Sequence, residues 1–372
     1  MFLWLAFAFT LLIQLYFYLY LFSKFARTGQ RELSVIPERM PGVSLVVSAR
    51  NEAENLQRNL GLLGRQSYPD YEIILVDDGS SDSTFEILQK FKQDHSRPGR
   101  PIHVLRIDAA DSKGKKQALA RGIELASREV ILVTDADCAP ASTEWIRLMA
   151  SPLSGDKDLE LVLGYGAYRK VRGSFLNRLI RYETLLTAIQ YFSYALHGNP
   201  YMGVGRNLAY TKRLFVGAGG FSGHQDIHSG DDDLFVNQAA NKENTAICID
   251  PDGFTTSEPK RSLRAWIRQK RRHISTASRY KGPQQAMLAL FYLSQLGFYL
   301  LAAALLIEGD KLPLLSSLIL ARFIAFYLVL IPSAGKLREK DLVALGPLYE
   351  ISTIFMQLYL FIYNRFSPPK HW

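Results

Sequence analysis

Two acidic residues with a spacing suited to metal binding, Asp135 and Asp137, follow the apolar run Val130–Val133. A β-strand alternates its side chains with period two, so an extended chain here would place both carboxylates on one side. Two hard carboxylate oxygens with open positions beside them suit Mg²⁺ or Mn²⁺ carrying a phosphate. A lone Asp-x-Asp also fits a solvated acidic turn, so the residues that accompany it decide between the two interpretations.

Polar residues also follow three other predicted strands. The strands and these residues are Val43–Ser48 with Arg50 and Glu52, Glu72–Val76 with Asp77 and Asp78, and Ile102–Ile107 with the lysine-rich segment 113–116, which includes Lys115. Strand and helix patterns alternate through this region, which predicts βαβ units and an α/β fold, a mostly parallel sheet with helices on both faces. Ligands of such sheets bind beyond the carboxyl ends of the strands, where these groups would converge.

A second acidic group, Asp231–Asp233, precedes the apolar helical sequence Leu234-Phe235-Val236. Three consecutive carboxylates repel one another, which raises the pKa of at least one and improves it as a general base. Such a run also fits an exposed acidic turn, but the apolar continuation favours the base. Further along, Arg272 offers a planar donor fork for phosphate oxygens. A metal ion, a basic cluster and a base together suit the transfer of a group from a nucleoside diphosphate to an alcohol.

The ordered set of motifs resembles family 2 glycosyltransferases of the GT-A fold. It is most similar to the membrane-bound members related to cellulose, hyaluronan and poly-N-acetylglucosamine synthases. The resemblance covers residues 40 to 280, and its segments are SLVVSARNEAENL, IILVDDGSSDST, KGKKQALARGI, VTDADCAP, GVGRNLAYTKRLF, SGDDDLF and QKRRH. Each segment alone is a weak signal, whereas the complete set in the family's order is a strong one.

The resemblance implies a role for each group. Asp78, with Asp77 beside it, matches the residues that bind the base and ribose of the nucleotide, and Asp135 and Asp137 match the metal-binding pair, with Asp137 in direct contact. Asp232 matches the general base, with Asp231 beside it. The remaining residues predicted to bind the nucleotide sugar are Arg50, Glu52, Lys115 and Arg272.

The segment Gln269-Lys270-Arg271-Arg272-His273 resembles the Gln-x-x-Arg-Trp motif of the processive synthases. Gln269 and Arg272 fit that motif and are predicted catalytic residues. His273 stands where Trp is usual, and in the processive enzymes that aromatic residue helps to hold the acceptor sugar. The difference argues against polymer synthesis more than against glycosyl transfer.

Other common site motifs do not fit this sequence. Gly203-Val204-Gly205 begins like a dinucleotide fingerprint, but Leu208 occupies the third glycine position. Gly114-Lys115 lacks the spaced glycine and the following Ser or Thr of a phosphate-binding loop. The His and Cys residues show no zinc-site spacing, so Cys138 and Cys248 are predicted to be free thiols in a reducing compartment.

Long apolar stretches predict a membrane protein in four parts. These are a transmembrane helix over 1–23, a GT-A domain over 40–258, a basic amphipathic interfacial segment over 259–284, and three transmembrane helices over 285–365. The three predicted carboxyl-terminal spans are Met287–Ile307, Leu312–Ile331 and Leu342–Tyr363. A rival topology keeps one of these segments in the membrane interface. The basic residues Lys24, Arg27, Arg31 and Arg39 after the first span place the catalytic domain on the cytoplasmic side.

Two charged residues lie within the predicted spans. Arg322 is near the middle of the second carboxyl-terminal span and Glu350 is in the first half of the third. Charges at such depth are costly, so they face a partner or a wet cavity. In adjacent antiparallel helices the two residues would lie at similar depths and form an ion pair. The alternative is that Arg322 faces a groove that guides an acceptor.

The net charge of +9 is concentrated near the predicted membrane surface and so indicates an anionic leaflet as partner rather than nucleic acid. The sequence predicts a metal-dependent, inverting glycosyltransferase in the plasma membrane. Its expected partners are a nucleotide-sugar donor, with UDP as the expected nucleotide, a lipid or glycan acceptor, and the bilayer. The alternatives are a processive polysaccharide synthase coupled to export, and a membrane protein that binds nucleotide sugars without catalysis.

Overall fold

A computed structural model describes residues 1–29, 40–155, 158–227 and 229–367, apart from the side chains of His273 and Ser275. Arg31 and Arg39, two of the basic residues after the first predicted span, lie outside the described residues. The described residues form a sheet domain, which we define as residues 40–258, and a set of long helices from both ends of the chain.

Short apolar runs that end at polar residues form the strands. In chain order they are β1 Val43–Ala49, β2 Tyr71–Asp78, β3 Ile102–Ile107, β4 Val130–Val133, β5 Cys138–Pro140, β6 Leu161–Leu163, β7 Gly166–Tyr168, β8 Leu208–Thr211, β9 Thr245–Ile247 and β10 Thr255–Ser257. The larger sheet has the order β3-β2-β1-β4-β8-β6-β9, and a smaller sheet has the order β5-β10-β7.

Helices cover the larger sheet and extend beyond it. They are α1 Phe2–Leu15, α2 Ser23–Arg27, α3 Ala53–Leu63, α4 Thr84–His95, α5 Lys115–Leu125, α6 Trp145–Ala150, α7 Phe175–Leu196, α8 Lys212–Gly217, α9 Asp233–Ala239, α10 Leu263–Ala277, α11 Gly282–Glu308, α12 Leu312–Lys336 and α13 Gly346–Phe366. A π-helical segment, Tyr16–Phe22, joins α1 to α2.

The predicted α/β fold class is confirmed. Strands β3, β2, β1 and β4 are parallel neighbours, so the carboxyl ends of β2, β1 and β4 meet at one edge of the sheet. Strand β8 is antiparallel to both β4 and β6, which makes the sheet mixed rather than purely parallel. Each of the four parallel strands coincides with a predicted strand to within two residues at either end, because their β-branched apolar runs are ended by polar turn residues.

The geometry proposed for Asp135 and Asp137 is wrong in one respect. Strand β4 ends at Val133, and the two aspartates lie in a turn in which the Cys138 amide donates to the Asp135 carbonyl at 3.0 Å. The Thr134 hydroxyl donates to the Arg206 carbonyl at 2.8 Å and so holds the chain where it leaves the sheet. A turn, and not strand alternation, therefore brings the two carboxylates together.

Three segments in the described part of the chain are long and apolar enough to cross a membrane. They are Phe2–Arg27, which contains α1, the π-helical segment and α2, then α11 and α12. The fourth predicted span corresponds to α13, a helix of 21 residues that does not reach the same apolarity.

The predicted pairing of Arg322 with Glu350 is confirmed. The Arg322 Nη1 atom donates to Glu350 Oε2 at 2.6 Å, and both side chains are buried. Glu350 also accepts hydrogen bonds from the Tyr18 hydroxyl and from Gln295 Nε2, each at 2.8 Å. Because Arg322 has no exposed surface, it faces a polar cluster inside the helix bundle and not an open groove.

Helix α7 is buried along most of its length. One part of its surface packs on the sheet domain, where the Tyr191 hydroxyl donates to the Gly164 carbonyl at 2.8 Å. Other parts contact α2 through Phe192 and Phe25, and α13 through Tyr182 and Tyr349. The helix therefore lies between the sheet domain and the long apolar helices, so that polar and apolar faces alike are covered.

Candidate active site

The carboxyl ends of β1 and β2 form one wall of the candidate site. Asn51, which follows β1 with a positive φ of 56°, accepts a hydrogen bond from the Ser81 amide at 2.9 Å. The Asn51 amide donates to the Ser80 hydroxyl at 2.9 Å, so the loops after the two strands are joined. Asn tolerates this left-handed conformation better than most residues, which explains its position here.

Asp77 and Asp78 lie at the end of β2 as predicted, and both are buried. Asp77 Oδ1 accepts from the Ser80 amide at 3.3 Å, and Asp77 Oδ2 lies 3.5 Å from Arg106 Nε. Asp78 Oδ1 is buried and has no hydrogen-bond partner among the described residues. A buried acceptor of this kind suits a ligand that brings its own N–H or O–H groups.

Lys115 connects the two acidic groups that the sequence predicted. Its Nζ atom lies 2.7 Å from Asp135 Oδ1 and 2.7 Å from Asp231 Oδ2. Burial disfavours the charge of Lys115, but the carboxylates of Asp135, Asp231 and Asp232 outweigh it and raise the pKa of the ammonium group. The first residue of α5 thus bridges the turn after β4 and the loop before α9.

Asp135, Asp137 and Cys138 present three possible metal-ligand atoms within 4.8 Å of one another. Burial raises the pKa of Asp137, and the charge of Asp135 raises it further. A divalent cation would relieve this repulsion between the two carboxylates, so they fit Mg²⁺ or Mn²⁺. Burial and the two nearby aspartates also raise the pKa of the Cys138 thiol well above its ordinary value. Cys138 therefore stays protonated and is a poor ligand for a hard cation.

Asp232 has the properties of a general base. Burial, followed by the charges of Asp231 and Asp233, raises the pKa of Asp232 to about 7, while Lys115 and the Gly205 amide oppose the increase. Its Oδ2 atom accepts from the Gly205 amide at 2.6 Å, and its Oδ1 atom accepts from the Asp233 amide at 2.8 Å. Two backbone donors fix the carboxylate, and a pKa near neutrality suits proton transfer at physiological pH.

Asp233 connects the acidic loop to helix α10. Its Oδ2 atom accepts from the Tyr280 hydroxyl at 2.7 Å and also from the Thr276 hydroxyl. Asp233 is buried, and both donors lie in or just after α10. The third carboxylate of the run is therefore an anchor for the helix that carries Gln269 and Arg272.

Helix α10 brings its two predicted residues to the site. Burial lowers the pKa of the Arg272 guanidinium, while the charges of Asp135 and Asp231 oppose this decrease. Gln269 Nε2 donates to the Tyr168 hydroxyl at 3.4 Å, and Gln269 Oε1 is buried without a hydrogen-bond partner among the described atoms. His273 lies in the same helix, but its side chain is outside the described residues.

Arg50 and Glu52 lie at the edge of the site, in the loop after β1. Burial raises the pKa of Glu52, and the charges of Asp137 and Asp135 add to the increase, so Glu52 lies close to the acidic turn. Arg50 is exposed, and its Nη1 atom donates to the Ser112 hydroxyl at 3.2 Å. This contact directs Arg50 to the loop before α5.

Arg206 is a site residue to which the sequence analysis assigned no role. Its Nη1 atom donates to the Ala167 carbonyl and to the Ser257 hydroxyl, each at 3.1 Å, and its guanidinium lies 4.3 Å from the centre of the Tyr168 ring. Its charge opposes the increase in the pKa of Asp137. The sequence feature that could have pointed to Arg206 is the adjacent glycine loop, 203–205. In the structure Gly205 of this loop lies close to Asp232.

Sequence comparisons identify relatives of the sheet domain. Residues 44–215 match the family described as Glycosyl transferase family 2. A poly-beta-1,6-N-acetyl-D-glucosamine synthase from Staphylococcus epidermidis is 36% identical over 100 residues, which is 27% of this chain and 23% of that protein. Glycosyltransferase AglE from Haloferax volcanii is 34% identical over 118 residues, which is 31% of this chain and 36% of that protein. The matched region thus spans only about a quarter to a third of these relatives.

A solved structure shares the fold over nearly the whole chain. A mannosyltransferase from Pyrobaculum calidifontis, solved in complex with GDP-Man and Mn²⁺, matches with a TM-score of 0.60 and 19% identity. The match covers 94% of this chain and 97% of that one. At this identity the similarity shows the fold alone, and it includes the long helices as well as the sheet domain.

Proposed function

Because residues 44–215 match the family described as Glycosyl transferase family 2, we propose that this chain is a metal-dependent, inverting glycosyltransferase of the membrane surface. It transfers a sugar from a nucleoside diphosphate donor to a lipid or glycan hydroxyl group. The observation that carries the proposal is the position of Asp232, whose pKa is about 7, beside Lys115, which bridges Asp135 and Asp231.

The donor's nucleotide fits the buried acceptors at the end of β2. Asp78 Oδ1 and Asp77 Oδ2 are buried and accept no hydrogen bond from the described residues, so N–H groups of the base and hydroxyl groups of the ribose would satisfy them. UDP is the nucleotide that we propose. The mannosyltransferase of the same fold was solved with GDP-Man, so a guanine nucleotide is the competing candidate.

The diphosphate fits between the cations of the site. Lys115 and Arg272 approach the acidic turn from two helices, and both act on Asp135. Asp135 and Asp137 would hold a divalent cation, which would neutralise charge on the departing diphosphate. Lys115 and Arg272 would donate to oxygens of the diphosphate, so that charge developing there is stabilised by groups already in place.

The acceptor hydroxyl is activated by Asp232. As the acceptor oxygen bonds to the anomeric carbon, the carboxylate takes the hydroxyl proton and the bond from that carbon to the diphosphate oxygen breaks. The Gly205 and Asp233 amides hold the carboxylate in one orientation during this step. Attack opposite the leaving group in one displacement inverts the configuration of the sugar.

The acceptor is proposed to arrive at the membrane surface. The site lies on a domain attached to three apolar segments, and the basic residues after the first of them favour a cytoplasmic position. His273 stands at the position that is Trp in the processive synthases, and so we propose addition of one or a few sugars. The name of the staphylococcal relative supports the alternative, a polymer synthase.

One assay tests the proposal and separates its alternatives. Purified full chain in lipid nanodiscs is incubated with labelled UDP-sugars and GDP-mannose, with Mn²⁺, in the presence of lipid extract or oligosaccharide. Products are separated into lipid-soluble, short soluble and polymeric fractions. A labelled lipid or short glycan that requires the divalent cation supports the proposal, whereas polymer supports the synthase.

Binding without turnover would identify the third alternative. If the chain binds a nucleotide sugar with micromolar affinity but forms no product with any acceptor in the panel, it is a binding protein. Asp232→Asn is the matched control for this comparison, because it leaves the proposed donor contacts in place. Equal product from this variant and from the natural chain would show that the observed transfer does not use the proposed base.

A further inference from the structure

Lys116 is a buried lysine beside the candidate site, and the mechanism described above gives it no role. It is the second residue of α5 and is 8% exposed. Its Nζ atom donates to the His224 carbonyl at 2.6 Å and to the Ile227 carbonyl at 2.7 Å. Hydrogen bonds from a charged donor are shorter and stronger than neutral ones, and here both acceptors belong to the loop that leads to the proposed base.

The loop between α8 and α9 turns sharply just before Asp231. Gly230 has a φ of 94°, which residues with a side chain rarely adopt, and a Cβ atom there would lie 2.5 Å from Leu234 Cδ1. Three further glycines precede it in this loop, at positions 219, 220 and 223. Because glycine loses more conformational freedom on folding than any other residue, such a loop keeps one conformation only when neighbouring groups hold it. We call its described residues before α9, 224–227 and 229–232, the base loop.

Helix α5 gives the base loop a fixed support. Gly122 of this helix lies so close to the sheet that a Cβ atom there would be 2.6 Å from Val46 Cγ1 in β1 and 3.0 Å from Val76 Cγ2 in β2. In such close packing the helix cannot shift without disturbing the strands beneath it. Lys115 and Lys116, the first two residues of α5, therefore extend from a rigid element toward the loop.

Electrostatic attraction also links Lys116 to the base loop. Burial lowers the pKa of Lys116, while four carboxylates oppose this decrease, those of Asp231, Asp233, Asp226 and Asp232. Three of them belong to the base loop and the fourth to the first residue of α9. The buried cation therefore attracts the whole acidic segment, whose members repel one another.

We propose that Lys116 is a positioning residue for the base, Asp232. Two adjacent lysines hold the base loop: Lys116 binds carbonyl groups near its start, and Lys115 Nζ lies 2.7 Å from Asp231 Oδ2 near its end. Asp232 is thereby kept where the Gly205 amide donates to it at 2.6 Å. A displacement of about 1 Å can lower a rate about a hundredfold, so the hold on this loop contributes directly to proton transfer. The inference rests on the proposed function, because it takes Asp232 as the base.

Substitutions of Lys116 in the full chain, in lipid nanodiscs, test this role. Lys116→Met removes the charge and the N–H donors and leaves two carbonyl groups without partners, whereas Lys116→Arg retains both the charge and the donors. We expect kcat at saturating donor and acceptor to fall about tenfold to a hundredfold in Lys116→Met and to stay within about threefold of the natural value in Lys116→Arg. Donor affinity by calorimetry should change less than about twofold, because no proposed donor contact is removed. An unchanged kcat in Lys116→Met would overturn the proposal.

Lys212 provides the matched control, because it also donates to backbone carbonyls. Its Nζ atom donates to the Ala126 carbonyl at 2.5 Å and to the Glu124 carbonyl at 3.5 Å, at the other end of α5. Lys212→Met should lower the unfolding temperature and retain kcat. An equal loss of kcat in Lys212→Met and Lys116→Met would mean a general loosening of the fold and would overturn the positioning role. If Lys116→Met does not fold, Lys116→Gln, which retains one donor group, is compared with Lys212→Met by the same criterion.

A double variant separates this inference from the proposed function. If Lys116 acts through Asp232, Lys116→Met should lower the residual kcat of Asp232→Asn by less than about twofold. The same fold loss in both backgrounds would overturn the inference and leave Asp232 as the base. Normal kcat in Asp232→Asn, or no transfer by the natural chain, would overturn the proposed function and this inference with it.

Discussion

Replacing Asp232 with asparagine tests the proposed base. In the natural chain the Gly205 amide donates to Asp232 Oδ2 at 2.6 Å and the Asp233 amide donates to Oδ1. In the variant the asparagine oxygen can still accept from the Asp233 amide, but the asparagine NH₂ group faces the Gly205 amide. One buried donor loses its acceptor, which costs about 1–3 kcal/mol of folding free energy. The protein should still fold and bind donor, while kcat falls by roughly 10² to 10⁴ because no group accepts the hydroxyl proton.

The pH dependence gives an independent test of the same residue. Asp232 accepts a proton only when it is ionised, and its pKa is about 7 because burial and the charges of Asp231 and Asp233 outweigh Lys115 and the Gly205 amide. The ionised fraction therefore rises about tenfold between pH 6 and pH 8, and kcat/KM should rise with it. In Asp232→Asn this increase should be absent from the residual activity.

The assay measures initial rates from pH 5.5 to 9 at saturating divalent cation, together with donor affinity by calorimetry. Asp226→Asn is the matched control, because Asp226 is an exposed carboxylate in the same loop that pairs with Arg279. Normal rates in Asp232→Asn, with a pH profile like that of the natural chain, would refute the assignment. A severe loss of kcat in Asp231→Asn alone, with donor affinity unchanged, would move the base by one residue.

The remaining predictions concern the metal, the phosphates and the helix bundle. Asp137→Ala should fold normally but lose Mn²⁺ binding and nearly all turnover; full turnover of the natural chain in EDTA would contradict this. Lys115→Met should bind donor at least about tenfold more weakly, because one cation for the diphosphate is lost. The variant should bind Mn²⁺ alone more tightly, because in the natural chain Lys115 pairs with Asp135. The exposed Lys113→Met is the control, and unchanged affinities in Lys115→Met would exclude Lys115 as a diphosphate-binding residue. Arg322→Met should destabilise the fold by about 3–5 kcal/mol in thermal unfolding, because Glu350 stays buried without its cation. Adding Glu350→Gln should recover part of that loss, and a double variant no more stable than the single one would show that the pair is not coupled.

The local features of the site were predictable from the sequence, because each depends on neighbouring residues. Strands β1 to β4 are apolar runs ended by polar turn residues, and the order of such runs predicted the parallel part of the sheet. Asp135 and Asp137 were chosen from residue type and spacing, and Asp232 from the family resemblance; the structure places Asp135 and Asp232 near Lys115, with Asp137 beside Asp135. Their catalytic roles remain predictions.

Contacts between distant segments were not predictable in the same way. The bridge from Lys115 to Asp231 joins residues more than a hundred positions apart, and the antiparallel strand β8 enters the sheet between β4 and β6. Helix α7 has an amphipathic sequence, yet it is covered on its other faces by α2 and α13, which sequence periodicity cannot show. The apolar content of α13 suggested a span, although this helix does not reach the apolarity of the three other segments.

The most direct test of the central claim is the configuration of the new glycosidic bond. With the donor and acceptor that the assay identifies, the product is followed by NMR from the start of the reaction, in the natural chain and in Asp232→Asn. The account predicts that the transferred sugar has the anomeric configuration opposite to that of the donor, and that the variant forms almost no product. Retention of the donor's configuration, or product at the natural rate from Asp232→Asn, would contradict a single displacement with Asp232 as the base.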